Sequence, residues 1–125
     1  MNKIIWIRII ALSGALSVAM GAFAAHGLDA SLSPSLMNTL RTAVLYQFLH
    51  SLALLGIICL PERHVHSDRL EWAARSFLAG IMLFSGSLYA LIFTGISALG
   101  FITPLGGTAF IIGWGILFFA VKPQD

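Results

Sequence analysis

The sequence predicts an all-α protein, a single domain (residues 1–125) built as a four-helix transmembrane bundle. Of its 125 residues, 58% are hydrophobic and 10% are charged, whereas about a quarter of an ordinary soluble domain is charged. Three long stretches hold no Asp, Glu, Lys or Arg: residues 9–28, 42–61 and 76–121. A bilayer core needs about 20 apolar residues as helix, so the first two stretches match one crossing each. The third would be about 69 Å long as one helix, so it must fold back into two crossings.

The same composition excludes other classes of protein. A soluble globular domain and a disordered chain do not carry such stretches. The seven Lys and Arg residues are too few for a phosphate-binding surface, so we expect no nucleic-acid partner. The partner that the sequence implies is the lipid bilayer.

The first helix is predicted over residues 4–25. Lys3 and Arg8 begin an apolar stretch, and Ala22-Phe23-Ala24 fits the small-x-small pattern of a signal-peptide cleavage site. The apolar stretch is longer than the core of such a leader, and three more hydrophobic segments follow it. We therefore expect this segment to be retained as the first crossing.

The second helix is predicted over residues 34–60. Ser33 and Pro34 fit its cap and its first position, and Pro61 ends it. A helix of this length would measure about 40 Å, which exceeds the thickness of the bilayer core. The end that runs up to Arg41 is therefore expected to lie in the headgroup layer.

The third and fourth helices are predicted over residues 70–93 and 103–121. A charged segment, residues 62–75, called here the charged loop, leads into the third helix and overlaps its start. Thr103 and Pro104 fit the cap and the first position of the fourth helix. The turn between the two helices is expected to be short.

The positively charged residues predict the orientation of the bundle, because cytoplasmic helix ends carry an excess of Lys and Arg. Arg41 is alone on one side of the predicted bundle. The six other cations lie on the opposite side: Lys3, Arg8, Arg63, Arg69, Arg75 and Lys122. The N-terminus, the C-terminus and the charged loop are therefore all expected to be cytoplasmic.

Small side chains mark the surfaces through which the helices are expected to pack. Membrane helices associate by close backbone approach, because lipid tails are as apolar as leucine. Such residues occur on the first, third and fourth helices: Ser13, Ser17, Gly21, Gly86, Gly106, Gly107 and Gly113. The same positions would also suit self-association between chains. Within one chain of four helices, we expect the intramolecular use.

A polar face lies within the second helix, and polar residues inside a membrane are costly and often functional. Tyr46 and His50 are four residues apart, so they share one face, and Gln47 lies beside them. His50 could relay protons, bind a cofactor or donate a hydrogen bond across the bundle. We favour the structural hydrogen bond, because such residues often join membrane helices.

His26, at the outer end of the first helix, completes a candidate functional polar face of His26, Tyr46, Gln47 and His50. Two histidines on neighbouring helices are also the ligand type of a bis-histidine haem. Axial ligands of one haem must lie at the same level. His26 is expected near the interface and His50 about a dozen Å deeper, so we expect no cofactor.

No residue pattern predicts catalysis or a metal site. No acidic residue lies inside the charge-free stretches that form the crossings, and the sequence holds no Walker motif, nucleophile elbow, HExxH or CxxC. His64 and His66 lie near Glu62 and Asp68 in the charged loop, but a lone His-x-His lacks the ligand set of a zinc or copper site. We therefore expect neither an enzyme nor a bound metal.

Four motifs follow one another along the chain: GAFAAHGL at residues 21–28, TAVLYQFLHSLALL at 42–55, FSGSLY at 84–89 and ITPLGG at 102–107. Their order and spacing resemble the YgdD-like family of small four-helix membrane proteins, which is grouped as a domain of unknown function. The resemblance covers nearly the whole chain. Ala24 departs from it, because the family usually has glycine there.

The resemblance implies a multi-pass protein of the cell membrane, which is the inner membrane if the source is a Gram-negative bacterium. It implies no reaction, substrate or cofactor. It also marks motif positions without assigning roles to them: His26, Tyr46, Gln47, His50, Ser85, Ser87, Tyr89, Thr103, Pro104, Gly106 and Gly107.

Three hypotheses about the function of this integral membrane protein follow from these features. The first is a non-enzymatic component that packs on itself or on a larger membrane complex, which the short loops and small-residue faces favour. The second is a small-solute or proton pathway lined by Tyr46, Gln47 and His50 on the second helix. The third is a redox accessory that holds haem or quinone near His26 and His50.

Overall fold

The computed structural model describes residues 1–26 and 31–124. Its α-helices are α1 (Lys3–His26), α2 (Pro34–Cys59), α3 (Ser67–Gly80), α4 (Gly86–Thr94) and α5 (Thr103–Phe118). A π-helical segment, Ile81–Ser85, joins α3 to α4 without a break, so that Ser67–Thr94 is one continuous helix, called here the third crossing. A 3-10 helix, Ser97–Phe101, leads into α5.

The predicted all-α membrane fold is confirmed. In the described part of the chain, four helices are long and apolar enough to cross a membrane, and each has a mean hydropathy of 1.7 to 1.9 over its most apolar window: Lys3–His26, Pro34–Cys59, Ser67–Thr94 and Ser97–Phe118. The first motif extends to residues 27 and 28, which lie outside the described residues. The orientation of the bundle across the membrane remains a prediction.

The start of α2 follows the predicted end signals. The Ser33 hydroxyl accepts a hydrogen bond from the backbone N–H of Leu36 at 3.2 Å, which satisfies one of the free donors of the first turn. Pro34 is the first helical residue, where its missing N–H costs nothing. The helix ends at Cys59, one residue earlier than predicted.

The third and fourth helices differ from prediction at their ends. The third crossing begins at Ser67, three residues early, because the His66 carbonyl already accepts the Leu70 N–H. Thr103 is not the cap of α5; it is the first helical residue, and Ile102 precedes it as the cap.

The C-terminal end of α5 is shortened by a contact with the charged loop. α5 ends at Phe118 rather than at 121, because Val121 leaves the helix and pairs in antiparallel fashion with Val65. The His66 N–H donates to the Ala120 carbonyl, and the Lys122 N–H donates to the His64 carbonyl, both at 2.8 Å. These extended-chain hydrogen bonds replace the last helical turn.

Both chain ends and the charged loop lie at one end of the bundle, called here the charged end. The N-terminal amine is 3.9 Å from the Glu71 carboxylate, and the Lys122 ammonium donates to the Glu62 carbonyl at 2.8 Å. A large apolar cluster, which includes Trp6, Leu54 and Phe77, fills the bundle near this end. At the opposite end, a smaller cluster is formed by Ala24, Met37 and Leu40.

The helices pack in two lengthwise pairs, α1 along α2 and α3 along α5. In the second pair, large side chains or backbone atoms lie so close to glycines that an added Cβ atom would overlap them. A Cβ atom on Gly113 would lie 2.5 Å from Cδ1 of Phe77, and one on Gly106 would lie 2.2 Å from the backbone N of Phe84. A Cβ atom on Gly80 would lie 2.3 Å from the Phe110 ring. Gly80 was not among the predicted packing residues.

The other predicted packing glycines make looser contacts. A Cβ atom on Gly21 would touch Val44 of α2 at 3.4 Å, and one on Gly107 would lie 3.9 Å from the Phe84 ring. The prediction that Gly86 packs against a neighbouring helix is wrong, since a Cβ there would meet only the Ile81 carbonyl of its own crossing, at 3.9 Å. Gly86 instead faces a groove that separates α1 from the third crossing.

Candidate functional site

Gln47 is the centre of a hydrogen-bonded network in the interior of the bundle. Its side-chain amide donates toward both the hydroxyl and the carbonyl of Ser13 on α1, at 3.3 Å each. Its amide oxygen accepts the Tyr89 hydroxyl of α4 at 2.7 Å. One buried side chain of α2 therefore joins three helices.

The hydroxyls of Ser13 and Ser51 extend this network with a defined direction. Ser51 donates to the Gln47 carbonyl at 2.7 Å, which uses its single proton. The two hydroxyl oxygens are 2.7 Å apart, so Ser13 must be the donor of the bond between them. The Ser13 hydroxyl oxygen is then left to accept from the Gln47 amide, and every proton in the network has an acceptor.

His50 lies in a separate aromatic cluster and is buried. Its Nδ1 is 2.9 Å from the Tyr46 carbonyl, and its Nε2 accepts the indole N–H of Trp114 at 3.2 Å. A carbonyl can only accept and an indole can only donate, so the two bonds assign a neutral imidazole that carries its proton on Nδ1. The ring also stacks on Phe110, with 3.6 Å between the ring centroids. Both ring nitrogens are therefore occupied.

Tyr46 belongs to the His50 cluster rather than to the Gln47 network. Its ring stacks on Phe84 with 4.6 Å between the centroids, and it lies 6.0 Å from the His50 ring. Successive helical residues point about 100° apart, which is why Tyr46 and His50 face α5 and the π segment while Gln47 faces α1 and α4. The predicted polar face is thus two sites on two sides of α2.

The structure does not bring His26 to either site. His26 is the last residue of α1 and is exposed, whereas Gln47 and His50 are buried in the middle of α2. The prediction that His26 shares a polar face with Tyr46, Gln47 and His50 is therefore wrong. The reason is depth along the helix axis, because His26 ends its helix beyond the smaller apolar cluster.

Several residues in or near these two sites make hydrogen bonds that the sequence did not predict. Ser13 was expected only as a small packing residue, and Ser17 next to it on the same stripe donates to the Gly14 carbonyl of its own helix at 2.8 Å. Ser85 donates across the bundle to the Ala43 carbonyl at 2.7 Å, and it lies in the π segment. The motif resemblance marked Ser85 and Tyr89, but nothing in the sequence pointed to Trp114.

The buried polar side chains of the two sites are engaged in hydrogen bonds within the protein. Among residues 1–26 and 31–124, no buried side-chain nitrogen or oxygen lacks a hydrogen-bond partner. Those same ranges hold no group of three or more His, Cys, Asp or Glu side chains that could bind a metal ion. In the charged loop, the His64 Nε2 accepts a hydrogen bond from Arg63 at 2.8 Å.

Two apolar grooves open on the flanks of the bundle. The first, called here the Arg41 groove, lies between α1 and α2 and has a volume of about 510 Å³. The second, called here the central groove, lies between α1 and the third crossing and has a volume of about 520 Å³. Ser13, Gln47, Tyr89 and Ser85 contribute the polar part of the central groove's lining. The first three are bonded to one another, and Ser85 donates to the Ala43 carbonyl.

The family whose description reads "Protein of unknown function (DUF423)" matches residues 20–107 of the chain. The chain belongs to this family. The DUF423 match spans the four motifs on which the YgdD-like resemblance depended, and that identification is confirmed.

Curated DUF423-type relatives carry membrane-protein names. A "UPF0382 membrane protein" of Haemophilus influenzae is 44% identical over 87% of this chain and 86% of its own length. "UPF0382 membrane protein YwdK" of Bacillus subtilis is 43% identical over 83% of this chain and 85% of its own. "UPF0382 inner membrane protein YgdD" of Escherichia coli K12 is 37% identical over 86% of this chain and 81% of its own. No solved structure matches the chain.

These relatives and the four apolar helices together identify a multi-pass membrane protein of the DUF423 family. The names of the relatives give no reaction, substrate or partner. The question of function therefore depends on the geometry of the two polar sites and the two grooves.

Proposed function

We propose that this DUF423 protein is a non-enzymatic interaction component of the cell membrane, which acts by packing on another membrane protein. One observation carries the proposal: among residues 1–26 and 31–124, every buried polar side chain has a hydrogen-bond partner, and several of these bonds join the protein's own helices. A substrate site or a transport route needs polar groups that are free to bind. What the bundle presents to its surroundings is apolar helix surface and shallow grooves.

The bonding of His50 argues against a proton or solute pathway. A relay histidine must exchange protons at both ring nitrogens, but here one nitrogen is bonded to a carbonyl and the other to an indole N–H. Gln47 is likewise bonded at both ends of its amide. A route past these side chains would have to break the contacts that join α2 to the other helices.

The same geometry argues against the redox hypothesis. A haem ligand needs a free imidazole nitrogen, and His50 has none, while His26 lies exposed at the far end of α1. A quinone needs a donor for its carbonyl oxygens. The polar side chains that line the central groove already donate hydrogen bonds within the protein, so none is left for such a ligand.

Site-specific photo-crosslinking in native membranes tests the proposal. A photoreactive residue is placed at exposed positions around the bundle, for example at Leu12 on α1 and at Ile111 on α5, which are 63% and 74% exposed. A packing surface should give a protein adduct of discrete mass from one flank and not from the other. Monomer with lipid adducts alone, at every position, would contradict an interaction role.

A flux measurement provides the matching test of the alternative. Full-length protein and a His50→Gln variant are reconstituted into liposomes, and proton and small-solute flux are compared with those of protein-free liposomes. We expect no difference among the three samples. Flux that requires the wild-type protein and is lost in His50→Gln would overturn the proposal in favour of a pathway.

We also propose that the charged end of the bundle faces the cytoplasm, because six of the seven Lys and Arg residues belong to it. Two single-cysteine variants, Gln124→Cys at the charged end and Ala98→Cys at the opposite end, are made in a Cys59→Ser background and report which side of the membrane each end faces. A membrane-impermeant maleimide should label position 98 in intact cells and position 124 only after permeabilisation. The reverse pattern would refute this orientation.

A further inference from the structure

The Arg41 groove runs between the outer halves of α1 and α2. Arg41 stands at one end, and Phe48 lies furthest from it along α2. On the facing side, α1 offers the small residues Gly21, Ala22 and Ala25. Because these side chains are small, α1 and α2 are in contact at Gly21 and Val44 while the groove stays open beside that contact.

The position of Arg41 in the membrane follows from the chain length beside it. The charge-free stretch 42–61 would measure about 30 Å as helix, which equals the thickness of the hydrocarbon core. Arg41 therefore stands at the boundary between hydrocarbon and headgroups. From Arg41 to Phe48 the groove descends about 10 Å along α2 into the hydrocarbon.

Arg41 forms no ion pair with a carboxylate of residues 1–26 and 31–124, whereas Asp29 lies outside the described residues. The ion pairs in that part of the chain link Glu71 to the N-terminus and to Arg75, at the charged end. The Arg41 side chain is exposed. A guanidinium above an apolar groove is complementary to an amphiphile with an anionic head and a hydrocarbon tail.

We propose that the Arg41 groove binds an anionic phospholipid of the bilayer. The lipid phosphate pairs with the Arg41 guanidinium, which offers a planar fork of donors to phosphate oxygens, and one acyl chain lies in the groove along Gly21, Ala22 and Val44. A zwitterionic lipid brings its own cation to the same headgroup layer, so it gains less from Arg41. The site is independent of the protein–protein packing proposed above, because it lies on the α1–α2 flank and uses a lipid as ligand.

Native mass spectrometry of the full-length protein, titrated with phosphatidylglycerol or phosphatidylcholine, tests this inference. We expect one phosphatidylglycerol to bind more tightly than phosphatidylcholine, and Arg41→Gln to weaken its apparent affinity about fivefold. Arg41→Lys should retain most of that affinity. Arg75→Gln, at the opposite end of the bundle, is the matched charge control and should bind as the wild type does.

A second pair of variants tests the groove itself. Ala22→Phe fills the space beside Gly21, whereas Ala19→Phe adds the same ring at an exposed α1 position outside the groove. Ala22→Phe should lose the phosphatidylglycerol adduct, and Ala19→Phe should keep it. Equal binding of the two lipids, or unchanged phosphatidylglycerol binding in Arg41→Gln or in Ala22→Phe, would overturn the inference. Circular dichroism confirms that each variant is folded.

Discussion

The α3–α5 pair and the α1–α2 pair both run lengthwise, but different interactions hold them together. Between α3 and α5, glycines and phenylalanines interlock, with Gly113 against Phe77 and Gly80 against Phe110. Between α1 and α2, the specific contacts are the hydrogen bonds of Ser13 with Gln47 and Ser51. The two grooves border α1, and one of them also borders the third crossing.

The comparison shows two ways of fixing helices in a solvent that is as apolar as their side chains. Close packing leaves no tolerance for added volume, because the interior is already at contact distance. Hydrogen bonding fixes the register at one level and leaves space above and below it. The apolar grooves that a lipid or partner could enter therefore lie along α1, the helix that Ser13 joins to α2 by hydrogen bonds.

The interlocked pair should be the more sensitive to added volume. In Gly106→Ala the new methyl group would lie 2.2 Å from a backbone nitrogen, which no side-chain rotation can relieve. We expect a loss of about 3 kcal/mol in the free energy of unfolding, at the upper end of the usual overpacking cost. Unfolding by SDS titration in mixed micelles measures it.

Gly115→Ala is the matched control for that experiment, because the added Cβ would meet no atom of another helix within 4 Å. It should unfold at the wild-type SDS concentration or slightly above it. If Gly106→Ala and Gly115→Ala unfolded at the same SDS concentration, the result would contradict the close contact between α5 and the π segment.

The hydrogen-bonded pair should respond to the loss of polarity instead. Gln47→Leu removes the bonds to Ser13 and Tyr89 and leaves the Tyr89 hydroxyl without its acceptor. We expect a loss of about 1–2 kcal/mol, measured by the same SDS titration. Tyr89→Phe, which removes one bond and leaves one amide oxygen unpaired, should cost about 0.6 kcal/mol. Wild-type stability of both variants would mean that the network does not join the helices.

The smallest effect is expected at the edge of the central groove. Gly86→Ala adds a methyl group that would meet nothing on another helix, and alanine favours helix over glycine by up to about 1 kcal/mol. The variant should therefore be as stable as the wild type or slightly more stable in the same titration. A clear destabilisation would show that Gly86 is an internal packing position after all.

The crossings, their order and the protein's family could be predicted from the sequence, because each prediction depends on local features. A charge-free stretch of 20 residues matches a bilayer core wherever its neighbours lie, and the hydroxyl of Ser33 caps the helix that begins beside it. The same reasoning failed at the end of α5, where Val121 pairs with Val65. That pairing joins residues far apart in sequence.

The candidate site shows the same limit more sharply. The spacing of Tyr46 and His50 correctly placed them on one side of α2, next to each other. It could not show that Gln47 faces another helix pair, or that the indole of Trp114 occupies the free nitrogen of His50. The packing role of Gly80 could not be predicted, because it depends on Phe110, which lies thirty positions along the chain and on a different helix.

Sequence alone determined that this is a four-helix membrane protein of the DUF423 family with a polar face inside its second helix, because hydrophobic length, end signals and motifs are properties of contiguous residues. The tertiary structure decided what that face contacts. It divided the face between the two sides of α2, occupied both nitrogens of His50 and left Arg41 above an apolar groove. These outcomes depend on which side chains of other helices arrive at the same depth, and no single helix carries that information.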